Sequence, residues 1–276
     1  MNDVPQEYVL ARRVLLDALD ALGAQIDAVV LVGAQAVYLH TGQADIAVAP
    51  TTTDADIALA PSLLRDEPLL AEALGRAGFI PNANPGSWVG AHGVTVDLMV
   101  PEALSGSGGR RGARLPVHGN RVARRTAGLE AALVDFEQRR LGAFDQTDQR
   151  AYTVRVAGPA ALLIAKTIKI EERRGQGRLR AKDGLDVLRI LQAVDTDPLA
   201  EHLLKLAAHS LSQETTQRAV KALREHGTDV EGPLATLAVQ AVGVLADPAT
   251  IANSLTALVE DLLLAYDDLT SRREIE

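Results

Sequence analysis

Val30-Leu31-Val32-Gly33-Ala34-Gln35-Ala36-Val37 reads as a buried strand that turns tightly, at a glycine, into a helix. The apolar run opens at Asp27-Ala28, and the strand is expected to end at Gly33. Downstream, Asp54-Ala55-Asp56-Ile57-Ala58-Leu59-Ala60 and Val94-Thr95-Val96-Asp97-Leu98-Met99-Val100 show the period-2 alternation of strands with one wet face. Helical patterns lie between them, one beginning near Gln35 and another from Ser62 to about Ala77. Strand, helix, strand, helix, strand predicts an α/β core.

After Gly158-Pro159 the style of the sequence changes. Pro159 suits a first helical turn, and Ala160 to about Arg174 follows as a good helix former. Ala181 to about Val194, Pro198 to Ala208, Gln213 to His226 and two further segments reaching Asp268 also read as helices, with Pro198, Pro233 and Pro248 placed where helices begin. The expected class is α+β, a mixed-sheet domain over 1–157 followed by an all-helical domain over 158–276. Ser105-Gly106-Ser107-Gly108-Gly109-Arg110-Arg111-Gly112 reads as a mobile glycine-rich loop.

Composition narrows the function. The 276 residues suffice for one large domain or two modest ones. With 47% apolar and 23% charged residues, wholesale disorder is excluded. There is no cysteine, so disulfides, thiolate chemistry and Cys-ligated zinc are excluded. The chain lacks a P-loop, a G-x-G-x-x-G after a strand, a G-x-S-x-G elbow and any H-x-H or H-E-x-x-H spacing. No uncharged apolar run is long enough for a membrane span, and the polar, acidic start is unlike a signal peptide, so a cytoplasmic protein is expected.

The net charge of −8 and 3% aromatic content argue against a generic nucleic-acid binder. The charge is unevenly spread, however. Arg110, Arg111, Arg114, Arg121, Arg124 and Arg125 form a stretch without acids, and Lys166 to Lys182 is a second basic segment. Thr228 to Ser271 holds no lysine or arginine. A polyanion would meet the two basic segments.

What remains is a set of carboxylates on strands. Asp54 and Asp56 lie two apart and share a face, and Asp97 joins them if its strand is a neighbour. Like charges so close raise each other's pKa and destabilise a fold unless a cation sits between them. Three such carboxylates suit Mg2+ or Mn2+ together with substrate phosphates. The plainer alternative is a solvated strand face. The Gly33-Ala34 turn would let backbone N–H groups approach a triphosphate, and the Thr52 and Thr53 hydroxyls lie close by in sequence.

On these residues the chain resembles the nucleotidyltransferase superfamily of polymerase-β-like fold, in which a strand, a Gly-Gly or Gly-Ser turn and a helix precede a D-x-D strand and a third acid. Within it the chain looks most like the AbiEii-type group, which includes nucleotidyltransferase toxins of toxin–antitoxin systems. That group carries a lysine on a helix and then Lys-Asp-x-x-Asp, matched here by Lys166 and by Lys182-Asp183-Gly184-Leu185-Asp186.

The resemblance implies that Asp54, Asp56 and Asp97 bind metal and that Gly33, Ala34, Thr52, Thr53, Lys166 and Lys182 meet the nucleotide. It places Asp183 and Asp186 at the active-site wall. It further implies an NTP substrate, an RNA acceptor such as the 3′ end of tRNA reached through the two basic segments, and an antitoxin partner. The chain departs from the group at Ala34 and in the long Gln43–Pro50 insertion. The same fold modifies small molecules such as aminoglycosides, and a non-catalytic nucleotide-binding module with a decayed site is a third reading. For the helical residues the plainer alternative also stays open. Lys166, Lys169 and Arg173 could form one solvated face, Asp183 could serve its helix dipole, and Lys182 and Asp186 could make an i,i+4 pair.

Overall fold

The computed structural model describes residues 4–42, 51–106, 111–174 and 180–275. The Gln43–Pro50 insertion, residues 107–110 of the glycine-rich stretch (Arg110 among them) and residues 175–179 lie outside these. The chain divides into two compact units, Met1–Ala36 with Pro50–Ala157 and Val37–Ala49 with Gly158–Glu276.

The first unit opens with α1 (Gln6–Ala21), an amphipathic helix that buries Val14, Leu15, Leu16 and Leu19. Then come β1 (Val29–Val32), α2 (Gly33–Thr41, of which Val37 onward is counted with the second unit), β2 (Asp54–Leu59), α3 (Leu70–Arg76), β3 (Ile80–Pro81), β4 (Ser87–Val89), β5 (Thr95–Pro101), β6 (Arg124–Thr126), β7 (Phe136–Gly142) and β8 (Ala151–Ala157). Among the described residues these strands form one eight-stranded sheet in the order β3-β4-β5-β2-β1-β8-β7, with β6 also pairing β5. β1 runs antiparallel to β2 and parallel to β8, while β2 and β5 are parallel, so the sheet is mixed and the chain is α+β.

Position in the sheet follows composition. All four residues of β1 are buried, as a continuous apolar run at a sheet centre should be. β7, at one end, exposes Glu137, Gln138 and Arg140, charged and polar residues of the kind that protect an edge. β5 shares its outer side between two short strands, β4 along Thr95–Asp97 and β6 along Met99–Pro101.

The helix expected from Ser62 to Ala77 is a correction. Pro61–Leu63 form a single 3-10 turn and the α-helix covers only Leu70–Arg76. Pro68 lacks a backbone donor and disfavours helical geometry at the residue before it, which stops a helix from running through. The strand expected from Asp27 is also shorter, because Gly23–Ala28 form a 3-10 helix ahead of Val29.

In the second unit the described residues after Ala157 carry helices and turns only. These are α4 (Pro159–Arg173), α5 (Ala181–Ala193), α6 (Thr196–Ala208), α7 (Gln213–His226), α8 (Pro233–Val242) and α9 (Pro248–Ile275). Pro159, Pro233 and Pro248 each open a helix, where no N–H is required, whereas Pro198 sits inside the first turn of a helix that begins at Thr196. α5 packs on α8, α6 on α9 and α4 on α7. At Gly184 a methyl group would stand 2.5 Å from Leu237 Cβ, so glycine sets how closely α5 and α8 approach. Among the described residues no helix is long and apolar enough to cross a membrane.

Candidate functional site

The D-x-D strand is β2. Its burial alternates at first, with Asp54 and Asp56 half-buried and Ala55 and Ile57 inside. Asp56 stands in register with Asp97 of the parallel neighbour β5, and Asp54 with Thr95. Side chains at one register point to the same side of a sheet, so all three carboxylates share one face. Asp56 packs over the turn between β1 and α2. Its carboxylate occupies the space that a Cβ on Gly33 would fill, and Gly33 also has φ of +71°. Glycine is therefore required there twice over. Ala34, where the resemblance expects Gly or Ser, is 6% exposed, so its methyl packs into the fold.

Thr52, itself buried, donates from Oγ1 to Asp54 Oδ1 at 2.6 Å and holds that carboxylate in place. The neighbouring Thr53 is exposed. Two supporting residues carry no signature in the sequence. Gln35 Nε2 donates to the main-chain oxygen of Asp54 at 3.1 Å, and its Oε1 accepts from Arg12 Nε at 2.9 Å. Arg12 also donates to the Gly142 carbonyl at 3.1 Å and lies 4.4 Å from the Phe144 ring centre. Burial pushes its guanidinium below the ordinary value, an effect that the nearby Tyr8 opposes.

The arginine stretch is largely engaged by the protein itself. Arg124 Nη2 lies 3.2 Å from Asp97 Oδ2, Arg125 pairs with Glu102, and Arg121 Nη2 donates to the Ala83 carbonyl at 3.0 Å. Arg111 and Arg114 are exposed.

The second unit holds the other predicted residues. Lys166 is 6% exposed, with Nζ 3.1 Å from Asp183 Oδ1 and 2.5 Å from Asp186 Oδ2. Asp183 also meets Lys169 Nζ at 2.9 Å and Arg173 Nη1 at 3.4 Å. Two expectations change here. Lys166 belongs to no solvated face, and Asp186 bonds to Lys166 from α4, not to the Lys182 four residues before it. Asp183 does lie in the first turn of α5, as the dipole reading has it. Burial alone would raise the Asp183 carboxyl and lower the Lys166 ammonium. At Lys166 the carboxylates of Asp186 and Asp183 outweigh it and hold the ammonium above its ordinary value, and at Asp183 the charges of Lys166 and Lys169 outweigh it and hold the carboxyl down at about 2. Arg189, fully buried one turn after Asp186, lies over the Tyr38 ring at 5.4 Å. Lys182 is half-buried.

Compared with family models, with curated proteins and with solved structures, the chain gives no match. The chemistry of the site therefore rests on its own residues. The three carboxylates offer hard oxygen donors on two adjacent strands, a donor set that fits Mg2+ or Mn2+. Among the described residues no three His, Cys, Asp or Glu side chains gather as a metal-binding group, and Asp97 faces a guanidinium. The fit is thus to the oxygens of Asp54 and Asp56, while Asp97 stands beside Arg124.

Proposed function

We propose that the chain is a metal-dependent nucleotidyltransferase that moves an NMP from an NTP to an acceptor hydroxyl. The observation that carries this reading is the register of Asp56 with Asp97 on parallel strands, directly over the glycine turn that starts α2. Asp54 and Asp56 would hold a divalent cation, which when bound supplies charge neutralisation and a lowered pKa for the attacking hydroxyl. Thr52 keeps Asp54 oriented, and Gln35 fixes the strand that carries it. The glycine at 33 leaves room for the Asp56 carboxylate beside the head of α2, whose backbone N–H groups would meet the phosphate oxygens. In the reaction the acceptor oxygen bonds to the α-phosphorus and gives up its proton to water. The bond to the β-phosphate oxygen breaks, and pyrophosphate leaves with that electron pair.

The expected acceptor is the 3′ hydroxyl of an RNA. A second reading, a small-molecule hydroxyl of the aminoglycoside type, is favoured by a specific observation: Arg121 and Arg125 of the basic stretch already bond to protein groups. In this reading the buried Lys166–Asp183–Asp186 cluster joins α4 to α5 and is not offered to a phosphate.

The test is label transfer from each α-labelled NTP, with Mg2+ and either total RNA or a panel of aminoglycosides. Asp54→Ala and Asp97→Ala serve as controls. Label that reaches an acceptor and is lost in both variants supports the proposal and identifies base and acceptor class. Magnesium-dependent NTP binding without transfer to any acceptor would favour a non-catalytic nucleotide-binding module instead.

A further inference from the structure

The pairing of Arg124 with Asp97 is a poor ion pair by the standard of the side chains that make it. Arginine and carboxylate commonly meet through two parallel hydrogen bonds at about 2.7–2.9 Å. Here one nitrogen, Nη2, reaches one oxygen at 3.2 Å, and Nη1 makes a long contact to Thr126 Oγ1 at 3.3 Å. Nε is buried with no hydrogen-bond partner among the described residues. A buried donor left unmatched costs on the order of 1–3 kcal/mol, so the guanidinium is incompletely bonded where it stands. The pair is also partly open, with side-chain exposures of 32% for Arg124 and 25% for Asp97.

Position gives this loose pair a meaning. Arg124 lies on β6 in register with Met99, two residues beyond Asp97 on β5. Residues two apart on a strand share a face, and so do residues in register, which puts Arg124 on the carboxylate face. Its charge therefore stands where a divalent cation drawn to Asp97 would come.

We propose that Arg124 is a built-in competitor for the cation, holding Asp97 until a triphosphate offers the guanidinium a better partner. The inference rests on reading Asp54, Asp56 and Asp97 as a cation site. Without nucleotide, Arg124 keeps cation affinity low. A phosphate oxygen can accept from the fork of the guanidinium, drawing it off Asp97 and releasing that carboxylate to the metal. Metal and nucleotide binding then reinforce each other, because each favours the same arrangement of Arg124. Arg124 acts here as a positioning residue.

The experiment measures Mn2+ binding to the full chain without nucleotide, from the loss of the free Mn2+ electron paramagnetic resonance signal. Wild type, Arg124→Gln, Asp97→Asn and the double variant form a cycle, with Arg124→Lys as the charge-keeping control and Asp54→Ala to locate the ion. Arg124→Gln is expected to tighten Mn2+ on the order of tenfold, the weight of removing one nearby positive charge. The gain shrinks clearly in the Asp97→Asn background, and Arg124→Lys stays close to wild type. A gain of equal size in both backgrounds would overturn the proposal, because Arg124 would then act only as a distant charge. Unchanged or weaker binding in Arg124→Gln would overturn it too. Saturable wild-type binding that survives in Asp54→Ala, or no saturable binding even in Arg124→Gln, would instead bring down the cation-site reading and this inference with it.

Discussion

The two units treat charge in opposite ways. In the helical unit, Lys166, Asp183 and Asp186 are almost completely buried and bonded to one another, with Lys169 and Arg173 adding to Asp183 from its more exposed side. In the sheet unit, Asp54, Asp56 and Asp97 share one half-buried face, and the contact from Arg124 to Asp97 is long and single. Buried charges that pair across two helices hold those helices together, although Asp186 Oδ1 has no hydrogen-bond partner among the described residues. Like charges that share a half-buried face gain from a cation placed between them. On the proposed reading the difference separates residues that serve the fold from residues that would serve a ligand, although aspartate and lysine look alike in both places.

The comparison breaks most visibly at Lys166. Lys166→Met removes the cation and leaves two buried carboxylates facing each other, which should cost about 3–5 kcal/mol. Thermal or urea unfolding of the variant checks this, and a loss below about 1 kcal/mol, the range of exposed pairs, would place Lys166 with the ligand residues instead.

Acidity sharpens the same contrast. The Asp183 carboxyl ionises at about 2 in the fold against an ordinary value of 3.8. A carboxyl held down in this way stabilises the fold above its unfolded value, and that contribution fades as pH falls from near 4 through about 2. Lys166 is shifted up, so its contribution is complete below its ordinary 10.5 and is lost only at more alkaline pH. Unfolding followed from pH 5 to 2 should therefore lose stability steeply in wild type and less steeply in Asp183→Asn.

The smallest effect belongs to the support of the site. Thr52→Val deletes the hydroxyl that donates to Asp54. One hydrogen bond to a charged group is worth about 1.5–3 kcal/mol at most, and partial exposure of Asp54 brings the expected loss of stability nearer 1 kcal/mol. Mn2+ affinity should fall with it, as Asp54 gains rotamer freedom, and an unchanged affinity would show that Thr52 has no part in orienting the ligand.

Legibility in the sequence follows the same divide. Local rules carried the strands with strong alternation, β2 and β5, and the glycine turn into α2, because period and φ requirements act within a few residues. Most helical bounds after Gly158 were legible for the same reason, with proline opening α4, α8 and α9. What local rules do not contain is pairing between distant segments. β6, three residues long, exists because β5 offers it an edge, and nothing in Arg124-Arg125-Thr126 announces a strand. Gln35 and Arg12 look like ordinary helix residues until β2 brings the Asp54 carbonyl to them. Lys166 illustrates the point from the other side. Its i,i+3 and i,i+7 spacing with Lys169 and Arg173 suits a wet helix face, and only the packing of α5 on α4 makes it a buried cation.

The most direct test of the division is thermal unfolding of wild type and Asp54→Asn with and without MnCl2. Removing one of several like charges on the face should leave the metal-free variant at least as stable as wild type, while Mn2+ raises the melting temperature of wild type alone. An Asp54→Asn variant that is strongly destabilised without metal, or that is stabilised by Mn2+ as much as wild type, would contradict the account.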